Sequence, residues 1–336
     1  MTSLCFDDSG EFLLAACSDE SLQLYNAKEG KAEKTLFSKK YGCHLARFTH
    51  YSQSIIYAST KGDDTIRYLS THDNQFLRYF KGHTAPVTSL AVCPGADTFL
   101  SCSFDHTVRL WDLRSPTAQG KLNLATPTFA NYDPSATVLA IASPSTASIL
   151  LYDLRNYDKP PFETFDMQSL ASNTHLASLG QGFIPRDWTK LEFSNDGKSL
   201  LLATNSSAGH ILLDGFDGSL KAFLLRSSQH LPINPAFQRP APYPQVSSPA
   251  VLGQGDVCFS ADGRYVIGAS GGERDLAIWD TQGSVEGDKT MQPLASLPCK
   301  DKVGVVEWNP RYNMLATGEK EVMMWLPDEH VGTKPP

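Results

Sequence analysis

Between residues 82 and 112 the chain places Gly82-His83, then Ser101 and Ser103, then Asp105, then Trp111-Asp112. Serine, histidine and aspartate are the members of a hydrolytic triad, in which the imidazole takes the serine proton and the carboxylate orients the imidazole. The same groups can instead satisfy one another, and an indole N–H, as a buried hydrogen-bonded network. Spacing separates the two readings. Ser101, Ser103 and Asp105 stand at short offsets before Trp111, within a run of strand-forming residues. That placement predicts a structural lock made of His83, Ser101, Ser103, Asp105 and Trp111, with no catalytic residue among them.

Other patterns that could do chemistry are weaker. Gly268-Ala269-Ser270-Gly271-Gly272 has the form of a nucleophile elbow, which requires a strand before it and a helix after it. Asp275-Leu276-Ala277-Ile278-Trp279 follows and reads as a strand, so turn chemistry accounts for the glycines. No phosphate-binding loop, HExxH pair or dinucleotide fingerprint is present. His44 and His50 share a candidate strand, but no carboxylate or thiol lies at ligand spacing, so neither a metal nor a cofactor is expected. Asn205-Ser206-Ser207 is a glycosylation sequon by pattern alone.

Charge offers a binding site instead. Lys and Arg total 29 against 36 Asp and Glu, a net charge of −7, which argues against holding nucleic acid by bulk electrostatics. Against that acidic background the first repeats carry a basic sector: Lys39-Lys40-Tyr41, Arg47, Lys61, Arg67, Arg78 and Lys81, then Arg109 and Arg114. Such a sector suits a phosphorylated or acidic peptide. Lys39, Lys40, Arg67 and Arg78 are the candidate contacts. The competing reading is that each is a solvated strand-edge charge, which discourages edge pairing. No apolar run approaches the roughly 18 residues of a membrane span. The seven cysteines form no CxxC pair and lie mostly among apolar residues, as small buried groups of a reducing compartment would.

The elements that must position these residues repeat. Stretches like Thr107–Asp112 end at Tyr25, Leu69, Trp111, Tyr152, Leu213, Trp279 and Trp325, with gaps of 44, 42, 41, 61, 66 and 46 residues. Each repeat has an apolar strand, a polar turn such as Asp7-Asp8-Ser9-Gly10, a second strand, a third ending on the residue just named, and a weaker fourth. No stretch sustains a helical period. Seven four-stranded units with a period of about 40–45 residues predict an all-β, seven-bladed propeller. The two long gaps predict loop insertions near 169–187 and 231–254, within a single propeller domain spanning 1–336. The second insertion has six prolines and a Pro242-Tyr243-Pro244 core. It reads as a surface loop, with a polyproline ligand as the other possibility. Repeat seven ends at Met324-Trp325-Leu326-Pro327 with a polar tail after it, and Met1 stands almost directly before the first inner strand. The expectation is a last blade without its outer strand and a closing seam that rests on side-chain packing.

The His, Ser, Asp and Trp-Asp of repeat three resemble the WD-repeat family, in which such residues form a buried network within one blade. Further stretches are more specific: Thr35-Leu36-Phe37-Ser38-Lys39-Lys40-Tyr41-Gly42, Asp63-Asp64-Thr65-Ile66-Arg67-Tyr68-Leu69-Ser70, Val108–Pro116, Leu151-Tyr152-Asp153-Leu154-Arg155 and Leu191–Lys198. Over nearly the whole chain these resemble the WD-repeat subunit that the COMPASS histone lysine methyltransferase shares with the mRNA cleavage and polyadenylation machinery. The two insertions and the absent first strand depart from that family. The resemblance implies a nuclear, non-catalytic adaptor. Its partners would be a segment near the N-terminus of the methyltransferase catalytic subunit, the serine-phosphorylated tail of RNA polymerase II, and cleavage/polyadenylation and phosphatase subunits. Neither sequence-specific nucleic-acid binding nor a membrane is expected. The alternatives left open are a WD-repeat scaffold of another machine, such as a ubiquitin-ligase substrate receptor, and an enzyme on a propeller scaffold.

Overall fold

A computed structural model describes residues 1–173, 188–204, 209–226, 256–269, 274–283, 285, 287 and 289–327. Seven sheets form around an axis, antiparallel except for one parallel pair in blade five. Blade one holds β1 (Ser3–Phe6), β2 (Phe12–Ala16), β3 (Ser21–Asn26) and β4 (Lys31–Phe37). Blade two holds β5 (His44–Phe48), β6 (Ser54–Ala58), β7 (Ile66–Ser70) and β8 (Gln75–Phe80). Blade three holds β9 (Val87–Val92), β10 (Thr98–Ser103), β11 (Thr107–Asp112) and β12 (Gly120–Asn123). Blade four holds β13 (Phe129–Tyr132), β14 (Val138–Ser143), β15 (Ser148–Asp153) and β16 (Glu163–Asp166), followed by a short helix, α1 (Met167–Asn173). Blade five is built on β17 (Trp188–Phe193), β18 (Ser199–Thr204), β19 (Gly209–Asp214) and β20 (Leu220–Leu225). Blade six opens with β21 (Val257–Phe259), β22 (Tyr265–Ala269) and β23 (Asp275–Asp280). The chain then runs across to add β24 (Thr290–Met291) to blade five and returns as β25 (Ala295–Pro298), the outer strand of blade six. Blade seven holds β26 (Val305–Trp308), β27 (Leu315–Gly318) and β28 (Val322–Trp325). The chain is a seven-bladed β-propeller, and each of the seven repeat ends falls on the third strand of its blade.

Burial explains the strand order. Second strands are apolar on both faces because neighbouring blades cover each side: every residue of β6 is buried, and four of the five in β2 are. Outer strands such as β4 are far less covered, and β4 is exposed at most positions, as its sequence Lys-Ala-Glu-Lys-Thr-Leu-Phe requires. Core clusters lie between adjacent blades rather than at the hub; Leu45, Ile56, Phe80, Val87, Phe99 and Trp111 form the one between blades two and three. Each blade is therefore stabilised by its neighbours, the energetics of a closed repeat.

The ring closes where β26 returns beside β1. Blade seven is a three-stranded sheet among the described residues. Its seam with blade one does not rest on packing alone, as expected above. Asn309 donates from Nδ2 to the Gly10 carbonyl at 2.8 Å, and Arg311 Nε donates to the Asp8 carbonyl at 3.0 Å. Gly10 has φ +70°, and a Cβ there would lie 2.3 Å from Asn309 Oδ1, so the seam requires glycine. Leu4, Phe6, Leu13, Val305, Met314 and Ala316 pack beside these bonds.

Of the insertion near 169–187, the first five residues belong to α1 and 174–187 lie outside the described residues. The insertion at 231–254, Ser270 and the sequon at 205–207 also lie outside them. A third departure from the repeat escaped the periodicity. The gap between Trp279 and Trp325 is one near-normal period of 46 residues, yet part of it serves blade five. The Phe223 N–H donates to the Lys289 carbonyl at 2.7 Å, and Lys289 Nζ donates to the Leu220 carbonyl at 2.7 Å. This strand covers an edge of blade five that would otherwise be open.

Candidate functional site

The lock residues meet inside blade three. His83 Nδ1 lies 2.8 Å from Asp105 Oδ2, and His83 Nε2 lies 2.6 Å from Ser101 Oγ. Trp111 Nε1 donates to Ser101 Oγ at 2.8 Å. Proton bookkeeping gives the direction of the relay. A carboxylate only accepts, so Nδ1 carries the imidazole proton; Nε2 of a neutral ring accepts from the Ser101 hydroxyl, and that hydroxyl accepts from the indole. Burial holds His83 below the usual histidine range although Asp105 pulls the other way, which is consistent with a neutral ring. For Asp105, burial acts upward, but hydrogen bonds from Thr107, His83 and the Thr84 N–H outweigh it and bring the carboxyl down to about 2. Ser103 stands one step aside: its hydroxyl donates to the Ala85 carbonyl at 2.8 Å and accepts from the Asp105 N–H at 3.1 Å. Thr107, absent from the expected set, donates to Asp105 Oδ1 at 2.6 Å. Its place two residues after Asp105, where an Asx turn closes on a hydroxyl, was the signal available.

Ser101, His83 and Asp105 thus have the distances of a hydrolytic triad. Ser101 is 0% exposed and its oxygen is already engaged by Trp111, so no substrate carbonyl can reach it. The other nucleophile pattern fails on context: β23 is a strand where an elbow needs a helix, and a Cβ at Gly268 would lie 2.0 Å from Val257 Cγ1.

The basic sector divides. β4 ends at Phe37, and the connection to β5 leaves the blade on the face opposite the β1–β2 turn, presenting Lys39 and Lys40 to solvent. Lys39 Nζ lies 5.3 Å from the Phe37 ring and Lys40 Nζ 5.1 Å from the Tyr41 ring. Among the described residues neither lysine has a carboxylate within 4.0 Å. Arg67 is placed differently from what its charge suggested. It is 2% exposed, its guanidinium takes Asp63 in a two-point pair at 2.9 and 3.0 Å, and its Cζ stacks 3.6 Å from the Tyr41 ring centroid. A guanidinium so engaged cannot meet a ligand directly; it fixes Tyr41. Arg78 points away, toward the Leu113 carbonyl of blade three. The structure brings Lys40 and Arg67 together at the Tyr41 ring, sets Lys39 beside Phe37 and leaves Arg78 outside. Of the wider sector, Arg47 bonds the Leu4 carbonyl at 3.1 Å, Lys61 pairs with Glu20, and Arg114 pairs with Asp112 at 2.8 Å.

Comparison with known proteins fixes the family. The WD domain, G-beta repeat, matches residues 1–26 and 74–112. The chain is 35% identical to the Set1 complex component swd2 of Schizosaccharomyces pombe, an alignment covering 97% of this chain and 92% of that protein. It is 37% identical to WD repeat-containing protein 82 of Drosophila melanogaster, covering 99% and 92%. It is 37% identical to COMPASS component SWD2 of Saccharomyces cerevisiae, covering 98% and 91%. The chain belongs to this family of WD-repeat proteins. A solved structure, the Cps50 (Swd1) β-propeller domain of Myceliophteria thermophila, superposes with a TM-score of 0.68 at 16% identity, covering 96% of each chain; that likeness speaks to the fold.

Two further features of this family member were not read from its sequence. The first turns of all seven blades meet in a funnel of about 550 Å³, with Asp8, His50, Pro94, Pro134, Asn195 and Ala261 contributed by blades one to six and Pro310 with Arg311 by blade seven. At its rim His50 Nδ1 lies 2.7 Å from Asp8 Oδ2 and Nε2 lies 2.8 Å from the Cys93 carbonyl, so the ring ties three blades. Both acceptors favour the doubly protonated imidazole, and the Asp8 bond raises its pKa against burial. Beyond the rim, Lys190 Nζ stands 3.0 Å from Glu192, 3.4 Å from Glu307 and 3.7 Å from Asp256. Burial alone would discharge this lysine; the three carboxylates hold its pKa well above the ordinary value. These residues come from three blades, so no local spacing marks them. Among the described residues no cluster of His, Cys, Asp or Glu could hold a metal ion.

Proposed function

We propose that this chain is a non-catalytic adaptor subunit of a COMPASS-type histone lysine methyltransferase complex in the nucleus. The observation that carries this is its family membership at 35–37% identity over nearly the whole chain, with relatives that are a Set1 complex component and a COMPASS component. A propeller is suited to the role because its loops are held at fixed relative positions by a rigid ring. In this reading one surface takes a segment near the N-terminus of the methyltransferase catalytic subunit. Lys39 and Lys40, exposed and without carboxylate partners among the described residues, contact the serine-phosphorylated tail of RNA polymerase II. Charge-assisted contacts from flexible ammonium groups suit a phosphate on a mobile peptide. The same subunit would also serve the cleavage and polyadenylation machinery and a phosphatase complex.

Affinity purification of the tagged chain with mass spectrometry tests the assembly. Recovery of a methyltransferase catalytic subunit is the expected result; recovery of a ubiquitin-ligase core in its place would overturn the reading. For the phosphate contact, fluorescence anisotropy should show tighter binding of a phosphorylated tail peptide than of its unphosphorylated twin, weakening as salt rises. Lys39→Ala with Lys40→Ala should abolish the difference.

A further inference from the structure

Beside the two lysines lies a surface that a phosphate contact does not explain. Tyr41 and Phe76 meet edge-on with ring centroids 6.1 Å apart, and Phe76 and Tyr79 follow at 5.4 Å. Two of these rings flank the Arg67 guanidinium, which lies 3.6 Å from Tyr41 and 5.8 Å from Tyr79. Phe76 is 38% exposed and Tyr79 41% exposed, and Phe37 next to Lys39 is 60% exposed. Contiguous exposed aromatic residues on a propeller rim are costly unless something covers them.

The backbone is shaped to make this patch. Residues three apart on a regular strand face opposite sides, so Phe76 and Tyr79 should point apart. A register shift in β8 pairs Arg67 with Tyr79 and Leu69 with Phe76, inserting one extra residue and turning both rings to one face. Arg67 then props Tyr41 from behind through its stack and its Asp63 pair. The rings are held in place before any ligand arrives, which lowers the ordering cost of binding.

We propose that Tyr41, Phe76 and Tyr79 form a shelf that binds a proline or aromatic ring one or two residues from the phosphate of the bound peptide, with Arg67 as its positioning residue. This rests on the reading of Lys39 and Lys40 as phosphate contacts. Charge and shape select the occupant together. The ammonium of Lys40 stands 5.1 Å from the Tyr41 ring. Successive residues of an extended peptide advance about 3.3–3.6 Å, so a residue one or two places from a phosphate at Lys40 falls over the rings. Flat apolar rings meet aromatic faces and edges with more contact than a methyl group does.

Four synthetic peptides separate this proposal from the one beneath it: with and without phosphoserine, each with the flanking rings intact or replaced by alanine. Binding to the purified chain is read by fluorescence anisotropy. The flanking rings should tighten binding several-fold, up to about tenfold. Phe76→Ser and Tyr79→Ser, at exposed positions, should remove that gain and keep the preference for phosphate, whereas Lys39→Ala with Lys40→Ala should do the reverse. Arg67→Lys should weaken the ring preference alone. Equal affinity for peptides with and without rings overturns the shelf, as does a ring preference that survives both serine variants. A ring preference without any phosphate preference leaves the shelf standing and overturns the lysine reading. No binding of any of the four peptides overturns both.

Discussion

Blades three and seven each carry a tryptophan near the end of the third strand, and the two indoles have different fates. Trp111 is 0% exposed, stacks on Phe99, meets Phe80 edge-on and donates to a serine at the head of a four-residue relay. Its strand is paired on both sides, by β10 and β12. Trp325 is half-buried and donates to Thr317 Oγ1 at 3.0 Å, and among the described residues no histidine or aspartate completes a relay. Its strand is paired with β27, and among the described residues nothing pairs its other edge. The difference teaches that the tryptophan position is common to the repeat but its worth is set by what covers it. A buried indole N–H needs its acceptor and the acceptor needs its own donor, so a complete relay is cooperative; a half-covered indole is served by one bond and by solvent.

The largest expected effect breaks that comparison at its strong end. Trp111→Ala should destabilise the protein by about 3–5 kcal/mol, the cost of removing a fully buried aromatic. Trp325→Ala should cost about 1–2 kcal/mol, since less surface leaves water when the blade forms. Urea denaturation monitored by circular dichroism measures both, and equal losses would show that blade context does not matter.

Acid sharpens the comparison next, because blade three carries titrating groups in its lock and blade seven does not. Burial lowers the pKa of His83, brings His44 to about 4, and holds His210 well below the ordinary value. A group whose folded pKa is depressed contributes stability that is present above its unfolded value and lost as pH falls. From about pH 7 to about pH 5 His44 should therefore cost about 1–2 kcal/mol, with losses of the same sign from His83 and His210, as the unfolded chain takes protons near pH 6.5 that the fold refuses. His50 has the opposite sign: raised by Asp8, it stabilises the fold in its protonated form, an effect lost as pH rises through its folded pKa. Denaturation midpoints across this range should fall with acid, less so in His83→Asn and more so in His50→Gln. The smallest effect belongs to Thr317→Val, which removes one half-exposed hydrogen bond and should cost about 0.5–1.5 kcal/mol; the matching loss of a hydroxyl at Ser101, by Ser101→Ala, would leave two buried partners unmatched and cost more.

Much of the molecule was legible before any coordinates. Seven spaced strand ends specify seven blades because the period of a repeat is a property of the chain itself, and short apolar runs such as Leu-Leu-Leu-Ala-Thr, bounded by turn residues, suit its strands. His83, Ser101, Asp105 and Trp111 could be grouped because one blade is a local unit of about 40 residues. Charge count exposed the basic sector, yet not what each member does. Arg67 and Lys40 are equally cationic in a list of residues; one is buried against Asp63 and Tyr41, the other stands in solvent.

What the tertiary structure alone decided are the features that join residues of different blades or depend on a single shifted residue. The strand β24 left its own repeat for blade five with little change in the period, because the whole excursion fits in the short stretch between β23 and β25. Phe76 and Tyr79 share a face through a bulge that the strand alternation forbids one to assume. Lys190 with its three carboxylates, His50 between three blades, and Asn309 against Gly10 at the closing seam are contacts across sequence separations that no local spacing encodes. Sequence periodicity fixes what repeats. Contacts made once, between neighbours brought together by closing the ring, are set by the geometry of closure.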